Sequence, residues 1–143
     1  MSTEANKALL LRWFEEDKKR NLAAMEELCA PDYVFHGTGV LPDSDLARIK
    51  QQHTVFWAAF PDAHLMLEDM IAEGDKVVHR YTFRGTHQGD FMGVPATGKV
   101  VTVTGICISR FAGGKFVEEW DNQDVLGLMQ QLGAIPQMAQ GGA

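Results

Sequence analysis

Three side chains in this sequence have the types and setting for proton-transfer chemistry: Asp124, Arg110 and His36. Asp124 follows the alternating segment Phe116-Val117-Glu118-Glu119-Trp120-Asp121-Asn122-Gln123. Strand alternation carried through its end puts Phe116, Glu118, Trp120, Asn122 and Asp124 on one face, and the two aromatics mark that face as inward. A carboxylate in an apolar cavity has its charged form disfavoured, which raises its pKa toward that of a useful general base. Asp124 also precedes the helical stripe Val125, Leu128, Met129 and Leu132, so it reads as a helix cap too, and the roles are compatible. His36 closes a short extended segment, Tyr33-Val34-Phe35-His36, beside Gly37. It can bond a substrate carbonyl, exchange a proton with Asp124, or serve as a buried histidine tied to backbone.

Whether Arg110 joins Asp124 depends on the turn at Ala112-Gly113-Gly114. A two-residue turn pairs Phe111 with Phe116 and puts Val103, Cys107 and Ser109 inside. A three-residue turn with Gly114 left-handed pairs Arg110 with Phe116 and puts Ile106, Ile108 and Arg110 inside. A one-residue slip exchanges the whole face, so the two exclude each other. The second is favoured here, because Ile106 and Ile108 are better partners for Trp120 and Phe116. It also sets a guanidinium near Asp124, holding that carboxylate ionised.

Further candidates line the expected cavity. His53 sits on a helical stripe with Phe56, and His79 shares a strand face with Val77, Tyr81 and Phe83. Trp120, Phe56, His53, His79, Tyr81 and Ile108 are taken as substrate-contacting, with ordinary interior packing as the plainer reading of each. His87 precedes a glycine-rich loop that it can brace. No histidine lies four residues from another, and HExxH, CxxC, GxSxG and phosphate-loop patterns are absent. A bound metal is not expected.

The elements that must position these groups fall into two blocks. Residues 1–60 read as helices: one capped by Thr3, one by Asn21, and one by Asp43 or Ser44 and stopped at Pro61. From Ala63 the period becomes two, with Leu65, Leu67 and Asp69 on one face, a turn at Glu73-Gly74-Asp75, strands near 76–87, 99–111 and 115–122, and a final short helix ending at Gly133. Helices followed by strands argue α+β: a curved antiparallel sheet, conical, covered by three N-terminal helices, with a short C-terminal helix. Such a cone leaves a hollow suited to a small apolar molecule.

The 143 residues suit one domain, taken as 1–136, with a flexible Gly/Ala/Gln tail at 137–143. With 45% hydrophobic and 22% charged residues the chain is globular, and a net charge of -6 leaves no basic stripe for nucleic acid or an anionic membrane. No run approaches a membrane span, and the charged first twenty residues do not fit a signal peptide. Cys29 and Cys107, far apart, are read as reduced, so a cytoplasmic protein is expected.

Several segments together resemble the SnoaL-like polyketide cyclases (ester cyclases) of the nuclear-transport-factor-two-like superfamily. They are Phe60-Pro61-Asp62, Gly85-Thr86-His87-Gln88-Gly89, Thr97-Gly98-Lys99, Arg110 to Lys115, Glu118 to Asp124, Leu126-Gly127-Leu128 and Gln130-Gln131-Leu132-Gly133. The resemblance implies an intramolecular aldol condensation of a polyketide-like ester without cofactor. Asp124 matches the family's acid/base, and His36 matches an early histidine. Arg110 stands where the cyclases typically carry histidine on the penultimate strand. That is a departure, since arginine stabilises an enolate but does not shuttle protons as a neutral group. Homodimers paired sheet to sheet are also implied. Two alternatives remain: a non-catalytic binding protein on the same cone, and an epoxide hydrolase or isomerase, with Asp69 as a possible second acid.

Overall fold

In the computed structural model, which describes residues 2–37 and 42–136, four helices and six strands follow in the order α1 (Thr3–Lys18), α2 (Ala23–Leu28), β1 (Cys29–Gly37), β2 (Ser44–Asp45), α3 (Leu46–Ala59), β3 (His64–Glu73), β4 (Lys76–Thr86), β5 (Val100–Ala112), β6 (Lys115–Gln123) and α4 (Val125–Leu132). This is the expected α+β arrangement; the expected tail at 137–143 lies outside the described residues. No described helix is long and apolar enough to cross a membrane.

The helix starts differ from expectation by a residue or two. Ser2, not Thr3, caps α1, its hydroxyl accepting from Ala5 N at 3.1 Å. Asn21 donates to Glu16 at 2.6 Å instead of capping α2, whose cap position is Leu22. Asp45 caps α3, accepting from Arg48 N at 2.9 Å, because Ser44 and Asp45 are drawn into a short pairing with Phe35 and Val34. Arg20, at φ 55°, turns the chain after α1; its guanidinium reaches Ala63 O at 2.9 Å and lies 5.1 Å from the Trp57 ring.

The strands form one sheet in the order β2-β1-β6-β5-β4-β3. Neighbours are antiparallel except β1 and β6, which run parallel. Irregularities in β1, at Glu68 in β3 and at Val117 in β6 bend the sheet. The result is curved and unclosed, with α1 against β3 and β4, and α3 against β1. Leu10, Phe14, Met25 and Ile49 pack from the helices onto Val77, Tyr81, Phe111 and Phe116. A second cluster joins Phe60, Phe83, Val101 and Val103 to Leu128 and Leu132 of α4.

Two bulges correct the expected faces. In β3, Leu67 pairs Tyr81 and Asp69 pairs Arg80, so Glu68 is extra. Leu65 and Leu67 face in, and so do Met70 and Ala72, whereas Asp69 is exposed beside Arg80 at 3.3 Å. Asp69 is therefore no second acid for a cavity. In the last hairpin, Gly113 and Gly114 have φ of 58° and 76°, the mark of a two-residue turn, and Phe111 pairs Phe116. The favoured three-residue turn does not form. Val103, Cys107 and Ser109 are buried inward, while Ile106 is 50% exposed. Beyond Phe116, Val117 is extra and Arg110 pairs Glu118. One added residue reverses the alternation of everything after it.

Candidate active site

A cavity of about 450 Å³ lies between the helices and the inner face of the sheet, within the range of small-molecule sites. Its floor is a grid set by strand register. Val77, His79 and Tyr81 of β4 face Ser109, Cys107 and Gly105 of β5. Those in turn face Glu119, Asp121 and Gln123 of β6. Trp13, Asp17 and His53 add helix-borne side chains to the wall.

The grid places two carboxylates against apolar and hydroxyl-bearing neighbours. The Tyr81 hydroxyl donates to Asp121 Oδ1 at 2.7 Å. It reaches that atom by crossing the bare backbone of Gly105; a Cβ there would collide with the Tyr81 hydroxyl. Burial pushes the Asp121 carboxyl up to about 6, with the Glu119 charge helping and the Tyr81 bond opposing. A carboxylate of that strength is mostly ionised at neutral pH yet takes up a proton readily, as a general acid/base must. Glu119 accepts from Tyr33 at 2.6 Å, Ser109 at 2.5 Å and Cys107 Sγ at 3.5 Å. Burial raises its carboxyl despite these donors. The same burial drives the Tyr33, Tyr81 and Cys107 groups upward, so all three stay protonated as donors.

Of the expected site residues, His53, Phe56, His79 and Tyr81 line the cavity. Asp124, Arg110, His36, Trp120 and Ile108 do not. Asp124 is exposed and caps α4, accepting from Gly127 N at 2.9 Å. The strand ends at Gln123, and the Val117 bulge has already turned its parity over. Trp120 occupies the outer face for the same reason, Arg110 and Ile108 do so because the two-residue turn sets the face of β5, and His36 lies there through its pairing with Trp120. There Arg110 donates to Glu118 at 3.1 Å, and His36 bonds Glu118 at 2.6 Å and Asp43 at 3.1 Å. The His36 ring stacks on Trp120 at 5.4 Å. The Glu118 hydrogen bond, ahead of Asp43, raises the His36 pKa. His87 is fully buried and accepts from Thr97 N at 3.2 Å, bracing the loop as read.

Sequence reading passed over Asp121, Glu119, Tyr33 and Asp17. Signals for them existed. Two consecutive glutamates guarantee that one faces inward whatever the parity. Gly105 in mid-strand marks close approach by another group. Asp17 lies on the α1 stripe of Leu10, Trp13 and Phe14, and burial raises its carboxyl against the pull of His53 and Arg20. Among the described residues, no three His, Cys, Asp or Glu side chains converge as a metal site.

A bent sheet under three helices, with acids on the cavity floor, defines the cone class of small-molecule enzymes and binding proteins. The SnoaL-like polyketide cyclase family model matches residues 8–132, and the chain belongs to that family. AclR from Streptomyces galilaeus is 32% identical with a TM-score of 0.87, covering 97% of this chain and 87% of its own. TsrD from Streptomyces laurentii is 27% identical with a TM-score of 0.82, covering 94% of this chain and 99% of its own. IdmH from Streptomyces antibioticus is 31% identical with a TM-score of 0.78, covering 89% of this chain and 97% of its own. No curated protein sequence matches the chain.

Proposed function

We propose that this protein is a cofactor-independent cyclase acting on a small, polyketide-like ester, with Asp121 in the acid/base role that the sequence suggested for Asp124. The observation that carries the reading is the Asp121 carboxylate on the cavity wall, held by the Tyr81 hydroxyl at 2.7 Å; burial pushes its pKa up to about 6. Asp121 takes a proton from carbon beside a carbonyl. The C–H electron pair becomes the enolate double bond, and the carbonyl pair moves to oxygen. The enolate carbon attacks a second carbonyl of the folded substrate, and the resulting alkoxide takes the proton back from Asp121. The product is a cyclic hydroxyketone isomeric with the substrate, and confinement in the cavity supplies much of the rate. IdmH is provisionally described as a polyketide cyclase and AclR as a hydroxylase; enolate formation is the step we carry to this chain.

The first half-reaction is testable without the natural substrate. Exchange of the α-protons of 2-tetralone in D2O at pH 7, followed by NMR, runs faster with the protein than in buffer. Asp121→Asn lowers that acceleration by roughly 10²–10⁴-fold, and Asp124→Asn leaves it unchanged. Equal rates for wild type and Asp121→Asn overturn the assignment. Saturable binding of tetralone without exchange favours the binding-protein alternative.

We also propose a homodimer through the outer sheet face, where Ile71 is 71% exposed and Ile106 50% exposed, near Trp120. The buried free thiols of Cys29 and Cys107 suit the cytoplasmic setting expected from the sequence.

A further inference from the structure

Cys107 separates two groups of different character on the cavity floor. On its β6 side is Asp121, and on its β4 side is His79. With strands about 4.8 Å apart, the imidazole and the carboxylate rise from positions about 10 Å apart. Between them lie the short, uncharged Cys107 side chain and the Tyr81 ring, 5.7 Å from the His79 ring and bonded through its hydroxyl to Asp121, so a reactant group lying over these can touch both.

The chemical state of His79 follows from its packing. It is 6% exposed, and its ring meets Phe14 edge-on at 5.5 Å. Its Nδ1 is buried without a hydrogen-bond partner. Burial alone lowers its pKa to about 4, so the ring is neutral at pH 7 and carries one N–H. An orphaned buried N–H is rarer and more costly than an orphaned lone pair. The proton therefore resides on Nε2, the nitrogen left to face the cavity that His79 lines.

We infer that His79 is a second catalytic residue: its neutral Nε2–H donates to the carbonyl oxygen of a ketone substrate lying over Cys107, while Asp121 faces the adjacent C–H. This deepens the enolate reading and rests on it. As Asp121 removes the proton, charge builds on the oxygen held by His79, so the bond strengthens in the transition state. The substrate class is thus a neutral ketone or keto ester, its acceptor oxygen one carbon from the acidic C–H.

Ligand binding tests this independently of turnover. 2-Tetralone and the hydrocarbon tetralin share a shape and differ in one acceptor oxygen. Wild type binds the ketone at least about tenfold more tightly by titration. His79→Phe brings the two affinities within about threefold, with tetralin affinity kept as evidence of an intact fold; His79→Gln recovers part of the preference. In wild type, the 13C carbonyl resonance of bound tetralone moves downfield, and in His79→Phe it does not. No ketone preference in wild type, or the same preference in His79→Phe, overturns the inference. So does preferential binding of the alcohol 2-tetralol that is lost in His79→Phe, because it would make the cavity nitrogen an acceptor. Exchange without ketone preference retains the Asp121 reading and removes His79; ketone preference without exchange removes the Asp121 reading and with it the catalytic role of His79, which is then a binding residue only.

Discussion

Glu118 and Glu119 are neighbours in sequence and opposites in chemistry. Glu118 points to the outer face, where its bonds to His36 and Arg110 hold its carboxyl below the usual range. Glu119 points into the cavity, where burial holds its carboxyl above it. The same contrast repeats at Gly105 and Ile106, and at Asp121 and Trp120. The outer face meets charge with charge in solvent. The inner face meets charge with hydroxyls and apolar walls. Residue type therefore says little about reactivity here, and the side of the sheet decides it.

The contrast breaks most visibly at Gly105. Gly105→Val drives a side chain into Tyr81, separates it from Asp121 and costs about 1–3 kcal/mol, whereas Ile106→Thr on the opposite face changes stability by no more than about 0.5 kcal/mol. Urea unfolding of both variants reads the difference. Equal costs would mean that Tyr81 does not occupy the space above Gly105.

A smaller effect sharpens the comparison between the paired glutamates. Asp121 must be ionised to act as base, so the exchange rate rises as pH passes about 6. Glu119→Gln keeps an acceptor for Tyr33 but removes a charge that lifts the Asp121 carboxyl. The rising limb of the pH–rate profile then moves to lower pH. Glu118→Gln leaves the limb in place, and only the NMR titration of His36 moves, also to lower pH. A limb that shifts for Glu118→Gln and not for Glu119→Gln would reverse the assignment of faces.

The smallest effect on chemistry belongs to the outer face itself. The proposed homodimer predicts a mass of twice the 15.8 kDa chain by light scattering. Ile71→Lys with Ile106→Lys returns it to one chain, with the tetralone exchange rate within about twofold of wild type, as expected for substitutions remote from the site. A wild-type monomer ends the dimer proposal.

Most of the fold was legible because it rests on periodicity. The stripes of Leu10 and Phe14 in α1 and of Val77, His79, Tyr81 and Phe83 in β4 are long and consistent. The Gly133 cap follows from its left-handed backbone, at φ 80°. The site was legible only in part. His53, Phe56, His79 and Tyr81 line the cavity, as their regular elements imply. Asp124 and Arg110 were misplaced because both depend on the last hairpin. There Phe116 and Trp120 suggest one uninterrupted face, and nothing in the residue types announces that Val117 is extra. Asp69 failed for the same reason at Glu68. The parallel join of β1 to β6 also escaped, since contacts between residues 34 and 118 leave no local mark.

Val117 acts as a phase marker for the C-terminal strand. Upstream of it the chain is read in one frame and downstream in the other. The same residues paired without that bulge would offer Trp120 and Glu118 to the reactant and give Asp121 to bulk water. In this strand the bulge, as much as the identity of the acid, decides which carboxylate faces the cavity.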